Sequence, residues 1–374
     1  MAGSLRLNFP GVSFVGTGAA RVLGEQARRL GRRALVATGR RALREAGITQ
    51  RLVASLEAAG VGAVLFEEVP PEPDVATVDA ARRLLRAGGC GLVVEAGGGS
   101  AMDSGKAVAA LAGEEAPTAE FHAGRSIERP GLPHIAVATT SGTGAEVTRN
   151  SVLTDPDTQL KQSLRGDGLM PSVSITDPEL TLSCPPEVTA ASGMDALVQA
   201  IESFFSIHAS PVTEALSLKA AGLIVRHLPE AFEHGRNMQA REAMAQGSYM
   251  AGLALGSARL GAVHGLAHPV GLCYGLAHGV VCAVLMPAVL ERNLPAAPQK
   301  YDELRAAIGG EPVQVLGGLL DELDLPHTLG PYPDADWERR IAQYAVESGS
   351  SKANPATVDE EYVLAVLREA CLPR

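Results

Sequence analysis

Aromatic residues are scarce in this chain. Phe, Tyr and Trp make up 4% of its 374 residues, with a single Trp. The core must therefore be built from Ala, Val and Leu. Cysteine is sparse and unpatterned: Cys90, Cys184, Cys273, Cys282 and Cys371 form no CxxC pair. That argues against a disulfide scaffold and points to a reducing cytoplasm. A basic excess is missing too, since the formal net charge is −10. Nucleic-acid binding is thereby disfavoured, because backbone phosphates demand a basic face. The local run Arg28, Arg29, Arg32, Arg33 sits in a helix-like stretch and reads as a solvated face. The apolar segments are interrupted too often to span a bilayer. Val280–Leu290 is short and contains Pro287, so it reads as a buried helix. The start, MAGSLRLNFPG, has no apolar signal-peptide core.

What is present is material for two globular domains. Hydrophobic residues reach 46%, and 41 Gly with 24 Pro fit many short turns. The first part alternates strand and helix patterns. Strands are expected at Arg33–Thr38, Val61–Phe66, Gly91–Ala96, Ile135–Ala138 and Val173–Thr176, with helices at Arg41–Ala59, Val75–Ala87 and Ala101–Ala112. Such alternation predicts a mostly parallel sheet covered on both faces. After Pro178 helical periodicity takes over, as in Pro186–Ile207, Pro211–His227, Met238–Ser257 and Tyr301–Leu323. The expectation is an α/β N-terminal nucleotide-binding domain over 1–180 and an all-α C-terminal domain over 181–374.

Two turns carry the nucleotide-binding argument. Gly97, Gly98, Gly99 and Ser100 follow the strand GLVVEA and open a helix whose first turn holds Asp103. Glycines let the backbone approach a phosphate, and the helix N-terminus favours its charge. The pattern is neither GxGxxG nor a Walker loop, and a glycine turn can equally serve strand–helix packing alone. The second turn, Thr139, Thr140, Ser141, Gly142, Thr143, Gly144, follows another strand. Open α/β sheets bind ligands at that end of a strand, although such a loop can also satisfy only itself. Two phosphate-friendly turns suit an extended ligand such as a dinucleotide.

The helical half carries a second constellation. In GAVHGLAHPVGLCYGLAHG, His264 and His268 are four apart and share a helix face, and His278 follows ten residues later, beyond Pro269 and an expected Gly271–Gly275 turn region. Upstream, Asp195 and Gln199 stand at i and i+4 in GMDALVQ. A carboxylate on one helix and imidazoles on another suit Fe²⁺ or Zn²⁺. Taken singly, each His is more often a satisfied core or turn residue.

The ordered set GGGSAMDSGKA, TTSGTGAEVT, ITDPELT, GMDALVQAIES and GAVHGLAHPVG…GLAHG resembles the iron-containing (group III) alcohol dehydrogenases, relatives of glycerol dehydrogenase and dehydroquinate synthase. The resemblance runs from about Phe14 to about Asn293. It implies an NAD(P)-dependent oxidoreductase for a small alcohol or carbonyl substrate, working in a cleft between the two domains and commonly dimeric. It places NAD(P) at Gly97–Ser100, Asp103 and the threonines Thr139, Thr140 and Thr143, with Lys161 near the cofactor ribose. It makes Asp195, His264 and His278 metal ligands, and sets His268 beside metal and substrate as a proton carrier. Asn150, Phe204, Phe205 and Tyr274 are candidate pocket walls by proximity to these motifs.

Two features depart from the family pattern. Gln199 stands where a fourth ligand, His, is usual, and a Gln oxygen is a weaker ligand for Fe²⁺ or Zn²⁺. The metal is then held by three strong ligands plus the Gln oxygen or water, or held loosely, or dispensed with as in the related maleylacetate reductases. Gly39, followed by Arg40 and Arg41, stands where NAD-preferring relatives carry an acid, which leaves room and positive charge for the 2′-phosphate of NADP. The arginines can also simply begin the next helix. Other classes remain: a synthase-like cyclase that uses NAD catalytically, disfavoured by the lack of basic residues near the histidines, and a non-catalytic cofactor-binding protein that has lost its metal.

Overall fold

The computed structural model describes residues 6–158, 160–331 and 336–371. It divides into two compact units. One takes Asn8–Thr140 and Gly144–Ser183, and the other takes 6–7, Ser141–Thr143 and the described residues from Cys184 onward.

The first unit is built on β1 (Val12–Val15), β2 (Arg33–Gly39), β3 (Gly62–Val69), β4 (Leu92–Gly97), β5 (His134–Ala138), β6 (Asn150–Asp155), β7 (Leu160–Arg165) and β8 (Val173–Thr176). Six strands form one sheet in the order β1-β8-β5-β4-β2-β3, every pair parallel, while β6 and β7 form a separate antiparallel pair. Around them lie α1 (Leu23–Leu30), α2 (Ala42–Glu45), α3 (Ile48–Ala58), α4 (Val75–Ala87), α5 (Gly99–Ala110) and α6 (Thr118–His122).

The sheet is buried on both faces, which is why its central strands read as unbroken apolar runs. Ala34, Val36, Leu92 and Val94 point to the face covered by Leu23 and Ala27 of α1 and Leu52 and Leu56 of α3. Leu35 and Val93, one residue out of phase, meet Val78 and Ala81 of α4 and Ala107 and Val108 of α5 on the other. The chain thus leaves β2 toward one face and β4 toward the opposite face. Gly39 and Gly97 end those neighbouring strands, so they flank the switch point where such sheets bind ligands.

The second unit is helical: α7 (Pro186–Phe205), α8 (Pro211–Glu233), α9 (Met238–Ala258), α10 (Ala262–Tyr274), α11 (His278–Asn293), α12 (Pro298–Ile308), α13 (Pro312–Glu322), α14 (Trp337–Glu347) and α15 (Glu360–Cys371). Its core centres on α7 and α11, most of whose Ala, Val, Leu and Met side chains are almost fully buried. The 278–296 stretch is long and apolar enough to cross a membrane, but 67% of its most apolar window is packed inside the fold.

The five expected strands and the alternation are present; three details differ from expectation. The helix expected over 41–59 breaks at Gly47, and that over 301–323 breaks at Gly309, both glycines taking the left-handed conformation. The α10 helix continues through Pro269 to Tyr274 instead of turning there. β1 and β6 had no clear sequence signal, β1 being four half-exposed residues.

Candidate functional site

Two strand ends line up at the C-terminal edge of the sheet. Gly97 pairs with Ala138, and Thr139 donates its backbone N–H to the Gly97 carbonyl at 3.0 Å. A Cβ on Gly98 would lie 3.2 Å from Thr140 Oγ1, so the two turns read from sequence are in contact. Gly98 caps α5 without any side-chain hydrogen bond to the first turn. The leading N–H groups of Gly99 and Ser100 therefore have no intrahelical acceptor, the usual state of a helix start, and suit a phosphate oxygen. Thr143 falls in the short segment that goes with the helical unit.

Asp103 sits one turn into α5 with its side chain 15% exposed, 3.7 Å from the ammonium of Lys106. Burial pushes its carboxyl up to about 6, against the pull of Lys106 and Lys161. Lys106 itself is fully buried. It donates to the carbonyls of Ala145 and Thr148 and to Thr148 Oγ1 at 2.9–3.2 Å, tying α5 to the segment after the threonine turn. Lys161 lies on β7 opposite Thr154 and forms an ion pair with Glu72. Asp177 of ITDPELT has a structural role: its carboxylate accepts the N–H groups of Gly18, Ala20 and Glu179.

The second site lies wholly in the helical unit. Asp195 Oδ1 on α7 is 3.2 Å from His264 Nε2 on α10 and 3.8 Å from His278 Nε2 at the start of α11. His278 reaches this position because α11 approaches α7 backbone to backbone. A Cβ on Gly279 would lie 1.9 Å from the Ala191 carbonyl oxygen, so only glycine fits. His268 lies on the same face of α10, half-buried, with its ring stacked on His278 at 5.0 Å and 20°. Gln199 Nε2 donates to Asp195 Oδ2 at 2.9 Å, and its Oε1 is buried without a hydrogen-bond partner.

Two further residues complete the cluster. Glu202, seven residues after Asp195 on α7, accepts from His264 Nδ1 and from the Val263 N–H, each at 2.6 Å. Cys282, one turn after His278, has Sγ 3.6 Å from His278 Nε2. Asp195, His264, His278 and Cys282 each offer one ligand atom, and these atoms all lie within 4.8 Å of one another. Burial draws the His264 imidazole down, but Glu202 and Asp195 outweigh it and push it up to about 10. Burial works against the Asp195 carboxylate, yet the hydrogen bond and charge of the histidines leave it below its ordinary value. Two buried carboxylates, Glu202 and Asp195, face the two nitrogens of His264, a concentration of negative charge and imidazole donors that fits a divalent metal.

The supposed pocket walls are a correction. Phe204 and Phe205 are 1% and 2% exposed within the helical core, and the Tyr274 ring packs edge-on against Trp337. The two phenylalanines do packing work, since helix-periodic aromatics in a ring-poor chain are drawn inward.

Two family models together span most of the chain. The family model Iron-containing alcohol dehydrogenase matches residues 10–178, and Fe-containing alcohol dehydrogenase family, C-terminal, matches 189–371. The chain is similar to 1,3-propanediol dehydrogenase of Klebsiella pneumoniae, 35% identical over 96% of this chain and 97% of that one. It is similar to long-chain-alcohol dehydrogenase 1 of Geobacillus thermodenitrificans, 37% identical over 87% and 86%. A solved structure of 1,3-propanediol oxidoreductase superposes with a TM-score of 0.93 at 34% identity, covering 98% of this chain and 100% of that one.

Proposed function

The chain belongs to the iron-containing alcohol dehydrogenase family, and from that premise we propose which of its residues carry the reaction and on what. It is an NAD(P)-dependent oxidoreductase interconverting small alcohols and their carbonyl partners. A divalent cation in such a site supplies Lewis acidity to the substrate oxygen, and a nicotinamide gives or takes the hydride.

Asp195, His264 and His278 hold the metal, with Gln199 beside them. The single observation that carries this is the convergence of Asp195 Oδ1 with the Nε2 atoms of buried His264 and part-exposed His278 within the helical unit. Glu202 fixes His264 so that Nε2 faces the other ligands. His268, half-buried and stacked on His278, is the side chain that passes the alcohol proton onward.

Gly97, Gly98, Gly99 and Ser100 cradle the cofactor pyrophosphate. Asp103, Thr139, Thr140, Thr143 and Lys161 bind the rest of the cofactor. NADP is the preferred form: Gly39 leaves space, and Arg40 is exposed with no ion pair among the described residues. Arg41 is already engaged by Glu45. An Arg40→Ala variant that leaves the NADP to NAD ratio of kcat/KM unchanged overturns this preference.

By similarity to the propanediol and long-chain alcohol relatives, the substrate is a primary alcohol. The working form is a cytoplasmic homodimer. Val12 and Val15 expose apolar side chains on the edge strand β1, and no disulfide forms among the described residues. Sedimentation measures the dimer directly.

The deciding experiment is elemental analysis of protein purified without chelator, with NAD(P)H turnover on primary alcohols measured before and after chelation. Turnover lost with the metal and restored by it is the expected result. Turnover indifferent to chelation overturns the metal assignment. Cofactor binding without turnover at any added metal overturns the catalytic one.

A further inference from the structure

We propose that Cys282 is the fourth protein ligand of the metal centre, and that it turns the site toward Zn²⁺ or Co²⁺ and away from Fe²⁺. The inference rests on the reading of Asp195, His264 and His278 as a metal site.

The geometry is that of a four-donor cage. Cys282 follows His278 by one helical turn on α11, so the two side chains share a face. Successive donor separations are 3.2 Å from His264 Nε2 to Asp195 Oδ1, 3.8 Å from there to His278 Nε2, and 3.6 Å from there to Cys282 Sγ. Zinc bonds of about 2.0–2.3 Å to such atoms imply tetrahedral edges of roughly 3.3–3.8 Å. All four donor atoms lie within 4.8 Å of one another, so the widest separation must close by about 1 Å around a cation. Cys282 is wholly buried, and its Sγ, 3.6 Å from His278 Nε2, lies on the side of the cluster.

The same cluster gives Gln199 a different task. An ionised Asp195 can only accept hydrogen bonds, so the amide nitrogen of Gln199 must face Oδ2, as observed at 2.9 Å. Gln199 is thereby a positioning residue that keeps Oδ1 turned to the histidines. Where the family pattern has a third imidazole at this position, this chain has lost a nitrogen donor and placed a sulfur donor on another helix. The site then carries two negative ligands, carboxylate and thiolate, to match a divalent cation. Thiolate is a soft ligand that favours zinc, and Fe²⁺ already stands below Co²⁺ and Zn²⁺ in affinity at mixed sites.

The test uses the full chain stripped of metal and reloaded with Co²⁺. One Co²⁺ per chain with a near-ultraviolet thiolate-to-cobalt charge-transfer band is expected. The band should survive Cys273→Ser, which removes the exposed thiol, and Gln199→Ala, and should vanish in Cys282→Ser. Zn²⁺ affinity in Cys282→Ser should fall by more than the about 10–100-fold that loss of an outer partner brings. Zn²⁺ should displace Fe²⁺ from the unaltered protein. Stoichiometric Co²⁺ without the band, or a band that survives Cys282→Ser, overturns the thiolate ligand and leaves the metal site standing. Equal retention of Fe²⁺ and Zn²⁺ overturns the selectivity. Failure of the unaltered chain to take up either Co²⁺ or Zn²⁺ overturns both readings. The spectrum of the unaltered protein decides the matter even where Cys282→Ser fails to fold.

Discussion

Glu202 accepts the Nδ1–H of His264 at 2.6 Å, and this one contact fixes which imidazole nitrogen faces Asp195. A carboxylate without a proton can only accept, so Nδ1 must donate and Nε2 is left for a cation. In Glu202→Gln an amide replaces a group that accepts on both oxygens, from His264 and from Val263. One of those donors must then face another donor. Metal affinity should fall about 10–100-fold, with a stability loss of about 1–3 kcal/mol. Competition with a chelator of known affinity measures the first and thermal unfolding of the metal-free protein the second. Unchanged affinity would mean that His264 is oriented by something else.

Glu202 also shows how much of the site was legible in the sequence. Asp195, His264 and His278 stood out as metal-ligating types at helical spacing, and the structure brings those three together. Glu202 was in view inside GMDALVQAIES, seven residues after Asp195, a spacing that puts both on one face. Cys282 stood four after His278, but a cysteine read only for CxxC pairs hides an i, i+4 ligand pair. The parallel sheet was legible because its buried strands are continuous apolar runs. β1 and β6 were not, since a half-exposed edge and a mixed hairpin strand carry neither a clean run nor strict alternation. The Phe204 and Phe205 error came from taking proximity to a motif for direction.

Gly279 couples packing to the site. In Gly279→Ala the new Cβ, placed 1.9 Å from the Ala191 carbonyl oxygen, meets backbone that cannot swing aside. α7 and α11 must part, and His278 must leave Asp195. Stability should drop by about 1–3 kcal/mol or more, and metal content should drop with it. Gly317→Ala on α13 is the control, because a Cβ there meets nothing within 4 Å. It should stabilise by about 0.5–1 kcal/mol and leave metal content alone. Equal effects of the two substitutions would remove the role given to the α7–α11 approach.

Asp103 gives a pH dependence with a defined sign. Burial raises its carboxyl from 3.8 to about 6 in the folded protein. A raised acid favours the protonated fold, so its ionisation takes stability away as pH climbs from about 4 to about 6. In Asp103→Asn that loss is absent. The variant should match the unaltered protein near pH 4 and exceed it above pH 6, by at most about 3 kcal/mol. The difference between the two unfolding profiles of cofactor-free protein reads Asp103 alone, since other titrating groups are common to both. A flat difference across that window would show that Asp103 titrates as it does in water.

His268 stacks on His278 at 5.0 Å yet is not among the four clustered ligand residues. If it carries the proton, its removal should damage turnover without emptying the metal site. His268→Ala should lower kcat by about 10²–10⁴-fold, the usual contribution of a positioned acid–base group. Metal per chain and the dissociation constant of the nicotinamide nucleotide should stay near their original values. The stacking itself is a competing explanation, because an untethered His278 could release metal. The two separate cleanly: a proton-carrier loss appears at full metal occupancy, whereas a stacking loss appears as metal depletion and is rescued by His268→Phe. Rescue by Phe, which can stack but cannot carry a proton, would remove His268 from the chemistry.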